Sequence, residues 1–186
     1  MPTCVSVEPG RPLRPNAKET LARNTTVATL RSNMPVIAAN EGEWQGTYTF
    51  VTPAGAVNDR YDFRIRLTIS DDNAHAYRQE SHYTWADGRT EDRVFEAAYD
   101  PASNRLAWDT GRIAGSLWEI DDTTFYLRFG FAQMPGVECH EMGQMFDGGA
   151  RRGRTWLWYR DGALFQYVLI DERRTAWADG SPVRPD

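Results

Sequence analysis

Lysine is almost absent from this chain: Lys18 is the only one among 21 basic residues, the rest being arginine. No lysine therefore stands in the body of the sequence, which excludes Schiff-base chemistry, pyridoxal-phosphate chemistry and the phosphate-gripping lysine of a P-loop. Cysteine is nearly as scarce. Cys4 and Cys139 form no C-x-x-C pair and no framework, so no disulfide is expected and a reducing compartment suits the chain. Apolar runs are short. None approaches the roughly 18 residues of a membrane-spanning helix, and the first residues lack the basic-then-apolar order of a secretory signal, so a cytoplasmic protein without membrane contact is expected.

Histidine is limited to three residues. His75 and His82 are seven apart, an odd separation that sends them to opposite faces of a strand, and His140 stands alone, so no metal site is expected. No glycine-rich phosphate loop opens a helix. Gly115-Ser116-Leu117-Trp118 lacks the G-x-S-x-G elbow of a hydrolase, and neither cysteine sits in a nucleophile motif, so the expectation is chemistry, if any, without a cofactor. The net charge of -5, with arginine and acidic residues interleaved, gives nucleic acid nothing to bind.

What the chain does have is β-strand grammar. Its 186 residues suit one domain. Residues 1–15 hold four prolines and read as an arm. A helix is expected over 17–30, from Leu21, Val27 and Leu30 with Asn16 as cap, and a short second one over 34–39 that closes one end of a barrel. The division expected is an arm and helix at 1–39, a barrel at 40–176 and a tail at 177–186. After Asn40, runs rich in Thr, Val, Ile, Tyr, Phe and Trp alternate with turn residues. Ten strands are read, at 44–51, 61–69, 74–85, 90–99, 105–109, 112–120, 124–131, 138–145, 154–159 and 163–172. Ala86-Asp87-Gly88, Ser103-Asn104, Asp121-Asp122 and Asp161-Gly162 are hairpin-sized joints, and no gap admits a crossover helix. The expected fold is all-β: a single antiparallel up-and-down β-barrel of about eight to ten strands with a short N-terminal helical segment.

Alternation then phases the strands. Phe63, Ile65, Leu67 and Ile69 share one face; so do Tyr77, Gln79, Ser81, Tyr83 and Trp85, then Arg93, Phe95, Ala97 and Tyr99, and then Phe125, Leu127, Phe129 and Phe131. Aromatic rings mixed with a few polar groups suit a ligand cavity, although a filled core with satisfied hydroxyls remains the plainer reading of any one tyrosine. For the strand at 138–145 the pattern leaves open whether Glu141, with Cys139 and Gly143, or His140, with Met142 and Gln144, faces inward.

Several segments carry a likeness to known proteins. These are Asn33-Met34-Pro35, Gly42-Glu43-Trp44-Gln45-Gly46-Thr47-Tyr48, Tyr83-Thr84-Trp85-Ala86-Asp87-Gly88-Arg89, Arg154-Thr155-Trp156-Leu157-Trp158-Tyr159-Arg160-Asp161-Gly162 and Leu169-Ile170-Asp171-Glu172-Arg173. Over residues 33–174 the chain resembles the lipocalin-like families of the calycin group, and more closely an uncharacterised bacterial lipocalin-like family. The resemblance implies a barrel with a ligand cavity, in an architecture that serves carriers, haem-binding barrels, chromophore lyases and cofactor-free cyclases alike. It also implies a tryptophan plugging the closed barrel end, although here Trp44 precedes Gly46 where the usual order puts glycine first.

The site expected has Tyr83, Arg93, His140 and Glu141 as acid-base or electrostatic groups, with Tyr48, Gln79, Trp85, Phe95, Trp108, Phe129, Trp156 and Tyr159 holding the ligand. The structural alternatives are an ion pair of Arg93 with Glu141 or Glu119, and Trp156 and Trp158 packed beneath the N-terminal helix. The function expected is a cofactor-free cyclase, isomerase or lyase acting on a hydrophobic small molecule. The alternative is a non-catalytic carrier or sensor of a lipid-like or tetrapyrrole ligand, and a barrel with a filled core is a third. A homodimer is left open.

Overall fold

A computed structural model of the chain describes residues 28–183. The arm at 1–15, nearly all of the helix expected at 17–30, Cys4 and Lys18 lie outside them. Ten antiparallel strands follow one another round a closed barrel, each paired with its neighbours in sequence, and the first pairs with the last. They are β1 (Gly42–Val51), β2 (Val57–Ile69), β3 (Tyr77–Trp85), β4 (Thr90–Asp100), β5 (Arg105–Asp109), β6 (Ile113–Glu119), β7 (Thr124–Phe131), β8 (Val137–Phe146), β9 (Arg151–Arg160) and β10 (Ala163–Trp177). All ten strands read from the sequence are present. Closure between β1 and β10 gives every strand a partner on both sides, although β4 and β5 pair only over Ala98–Asp100.

The joints behave as their residues dictate. Asp161 and Gly162 both adopt positive φ, 50° and 79°, the geometry of a tight two-residue hairpin, and they join β9 to β10 directly. Gly143 has a different reason to be glycine: a Cβ there would stand 2.1 Å from the ring of Phe125 on the neighbouring strand.

Two helical turns, α1 (Leu30–Asn33) and α2 (Pro35–Ala38), lie across one end and bury Leu30, Met34, Val36 and Ile37. The sequence-based expectation of a short helix at 34–39 corresponds to α2. Beneath it Trp44 is 1% exposed and donates its Nε1–H to the Asn40 carbonyl at 2.8 Å. The guanidinium groups of Arg152 and Arg174 lie over its ring, 4.6 and 4.2 Å from the centroid. Arg174 donates to the carbonyls of Ala39, Glu41 and Gly149, tying β10 to the end of α2 and to the β8–β9 loop. Burial, with Arg152 nearby, pulls its pKa down to about 10, so it stays charged at neutral pH. The reversed order of Trp44 and Gly46 therefore does not keep Trp44 from plugging this end.

Outside the barrel, β1 to β4 carry paired charges, among them Arg66 with Glu43 and Arg78 with both Glu80 and Glu96. These pairs are solvated and contribute little to stability.

Candidate functional site

Alternation places one residue in two of every strand inside, and the inside is not full. A cavity of about 350 Å³ runs down the barrel from the end opposite the helices. That volume lies in the range of small-molecule pockets. Its mouth is aromatic and half-buried: Phe50, Tyr61, Trp85, Phe95, Phe131 and Trp158, with Arg93, Arg112 and Asp59 at the rim. Tyr48 anchors a continuous ring cluster deeper down, with centroids 5.2 Å from Tyr61, 4.6 Å from Phe63, 5.9 Å from Tyr83 and 5.4 Å from Trp156.

The blind end is polar. Tyr77 donates to Gln79 at 2.7 Å and Gln79 to Ser81 at 2.9 Å, a hydrogen-bonded row along the inner face of β3. Across from it lies a buried ionic group. Arg152 donates to Glu172 through Nε and Nη2, and to the Asn40 side chain at 2.6 Å. Arg154 uses Nε on the other Glu172 oxygen, Nη2 on the Tyr48 hydroxyl at 3.0 Å and Nη1 on Glu141 at 3.2 Å. All four charged side chains are buried. Burial raises the pKa of Glu172, but Arg152 and Arg154 together outweigh it and hold its carboxyl below the ordinary range. Glu141 is the opposite case. Burial dominates, Arg154 and Arg152 offset it only in part, and its pKa is raised. The group thus joins a carboxylate that two arginines hold in its charged form to an acid that burial biases towards its protonated form, beside an aromatic cavity.

Of the expected residues, Tyr48, Gln79, Tyr83, Trp85, Arg93, Phe95, Trp108, Phe129, Glu141 and Trp156 all line this cavity. His140 and Tyr159 do not. The β8 register puts Glu141 opposite Trp156 and inside, so His140 faces out, where its Nδ1 lies 2.8 Å from the Tyr126 hydroxyl and its ring packs on Tyr159. Both are corrected to the outer surface. Replacing His140 by alanine is accordingly expected to change cavity affinity less than twofold in a fluorescence titration.

Neither structural alternative for the charges holds. Arg93 pairs with Glu91 on its own strand, 2.5 Å away, and Glu119 accepts from the Ile37 amide at 2.8 Å, while Glu141 belongs to Arg154. Trp156 and Trp158 line the cavity, and both indole N–H groups are buried without a partner. Trp118 lies outside against Tyr126 and Arg105.

Sequence reasoning missed Arg152, Arg154, Glu172 and Asn40 as a group. Parity held the signal: Arg152 and Arg154 share the face of Trp156 and Trp158, and Glu172 that of Val168 and Ile170. Charges in phase with a core face are costly unless paired, and so mark partners for one another.

A family model for a domain of unknown function, DUF3598, N-terminal, matches residues 31–177. No curated protein sequence matches the chain. Among solved structures, a protein of unknown function from the DUF3598 family of Nostoc punctiforme superposes with a TM-score of 0.55 at 16% identity, over 74% of this chain and 48% of its own. The chain thus spans about half the length of that relative. An S-type phycobiliprotein lyase from Guillardia theta superposes with a TM-score of 0.60 at 12% identity, over 80% of this chain and 93% of the lyase. At these identities the likeness is one of fold.

Proposed function

This chain belongs to the DUF3598 N-terminal domain family, a description that carries no activity, and from the cavity itself we propose that the barrel binds a flat, largely apolar small molecule between its aromatic walls. The observation that carries this is the unfilled interior. A barrel whose core served only stability would close over its inner rings, because empty space forfeits dispersion contacts on every lining side chain. Here Tyr61, Trp85, Phe95 and Trp158 stand half-buried round an open mouth instead.

Aromatic walls favour a ligand with its own π-system, which stacks or meets ring edges at little entropic cost. The test uses 1-aminoanthracene, a neutral three-ring probe. Saturable one-to-one binding that quenches tryptophan fluorescence is expected, and Leu127→Trp, which puts bulk into the cavity, is expected to weaken it at least tenfold without lowering the melting temperature. Undiminished binding by a folded Leu127→Trp protein would place the probe elsewhere and overturn the reading.

A second reading is favoured by one observation. Glu141, a buried acid whose pKa burial raises, lines the same cavity as Tyr83 and its neighbouring rings, an arrangement suited to donating a proton to a bound double bond or leaving group. On that reading the barrel is a cofactor-free cyclase, isomerase or lyase. Conversion of the ligand recovered with the protein, abolished by Glu141→Gln while binding persists, separates an enzyme from a carrier. A carrier of a tetrapyrrole or lipid-like molecule returns its ligand unchanged.

A further inference from the structure

We propose that the ligand is an organic acid, a flat apolar body ending in a carboxylate, which enters carboxylate first and sets that group against Arg154 at the blind end of the cavity. This rests on the binding reading above and adds the ligand's charge, its orientation and a coupled proton.

A guanidinium has five N–H donors, and Arg154 spends one each on Glu172, Tyr48 and Glu141, the last at 3.2 Å. Arg152 likewise spends three, two on Glu172 and one on Asn40. Both oxygens of Glu172 are engaged, so it has little capacity left for a ligand. Glu141 has a single hydrogen bond, the one from Arg154. The blind end therefore offers spare arginine donors and one lightly held carboxyl, all lining the same cavity.

Neighbouring elements add no further negative charge. β1 and β3 contribute the neutral Tyr48, Tyr77 and Gln79; on β10, Glu172 does not line the cavity and is held by both arginines, and Arg174, against Trp44, gives its donors to backbone carbonyls. Glu119 on β6 is turned to the Ile37 amide, and Glu41 pairs with Arg31. With Glu141 ionised, Arg152, Arg154, Glu141 and Glu172 of the buried ionic group sum to zero; with it protonated, they sum to plus one. An incoming carboxylate restores neutrality in the protonated form alone, and a Glu141 hydroxyl can then donate to it. Burial already favours that proton. Binding the acid and keeping the Glu141 proton are thus one event, and a cationic ligand would instead face two arginines.

The test compares pyrene-1-butyrate with pyrene-1-butanol, the same body with and without the charge, by fluorescence titration at pH 6 and pH 8. Wild-type protein is expected to prefer the butyrate about tenfold or more at pH 6 and to lose several-fold of that preference at pH 8. Glu141→Gln, an uncharged group of the same shape, is expected to keep the preference and make it independent of pH over this range. Equal binding of acid and alcohol overturns the proposal and leaves the cavity reading standing. Binding of neither overturns both. A pH-dependent preference that persists in Glu141→Gln removes Glu141 from the event and overturns the proposal as stated. Should that variant fail to fold, the comparison of acid and alcohol in the wild type still decides.

Discussion

Glu172→Ala is expected to cost about 3–5 kcal/mol of folding stability, the range for breaking a buried ion pair by removing one partner. Glu172 is fully buried and takes hydrogen bonds from both Arg152 and Arg154. Without it, two guanidinium groups share the inner face of β9 two residues apart, with Asn40, Tyr48 and Glu141 as their remaining partners. Both would be left short of negative charge while buried at the blind end of the cavity. Against a typical total stability of about 5–15 kcal/mol, that loss leaves a marginal protein. Urea unfolding at pH 7 measures it, and a loss under about 1 kcal/mol would show that the arginines find other compensation.

The pH dependence follows from the same carboxylate. The folded pKa of Glu172 lies below its unfolded value, so its contribution is present above the unfolded pKa and is lost as the pH falls through the folded one. Wild-type stability should therefore fall below about pH 4, the range in which an unperturbed glutamate takes up its proton. Glu141 has the opposite sign: its raised pKa costs stability once the pH exceeds the unfolded value, because the unfolded chain releases a proton that the folded one retains. The two residues, both in contact with Arg154, thus pull the stability profile in opposite directions.

The strand pattern was legible because β-structure has a period of two and the turns carry distinctive residues. Phe125, Leu127, Phe129 and Phe131 declared an inner face by alternation alone, and the structure keeps it. The orientation of β8 was not legible from its own residues. Glu141 alternates with His140, and neither an acid nor an imidazole announces a core face; what decides is the register that sets Glu141 opposite Trp156. The ionic group was hidden for a related reason. Arginines at 151, 152 and 154 read as surface charge in a linear scan, and only phasing them with Trp156 and Trp158 turns Arg152 and Arg154 inward, towards a glutamate 18 to 20 residues further on. Long-range pairing of charges has no local signature, whereas hydrophobic alternation does. Tyr159 fails by simple parity, since Trp156 and Trp158 inside require it outside.

Trp44→Ala is expected to lower stability by about 3–5 kcal/mol, as for large aromatic truncations in a core. At about 2–4 °C per kcal/mol for a domain of this size, the melting temperature should fall by roughly 6–20 °C. The ring does three things at once. It fills the space between α2 and the barrel floor, it presents a π-face to Arg152 and Arg174, and its N–H satisfies the Asn40 carbonyl. Trp44→Phe separates these roles, since it keeps a ring under both guanidinium groups and removes the donor, so it should lose about 1–3 kcal/mol. The sign of the arginine contribution is the informative part. Arg174 is held in place against burial by carbonyl oxygens and the indole face; losing the ring relieves part of the burial that lowers its pKa, so the pKa should rise, while the lost ring contact loosens the junction between β10 and the helical cap. Hydrogen exchange should then rise in α2 and at the start of β1 well before it rises in β6 and β7 at the far side of the barrel. Uniform destabilisation of all ten strands would mean instead that Trp44 acts as ordinary core, with no special part in closing the end on which the cavity floor is built.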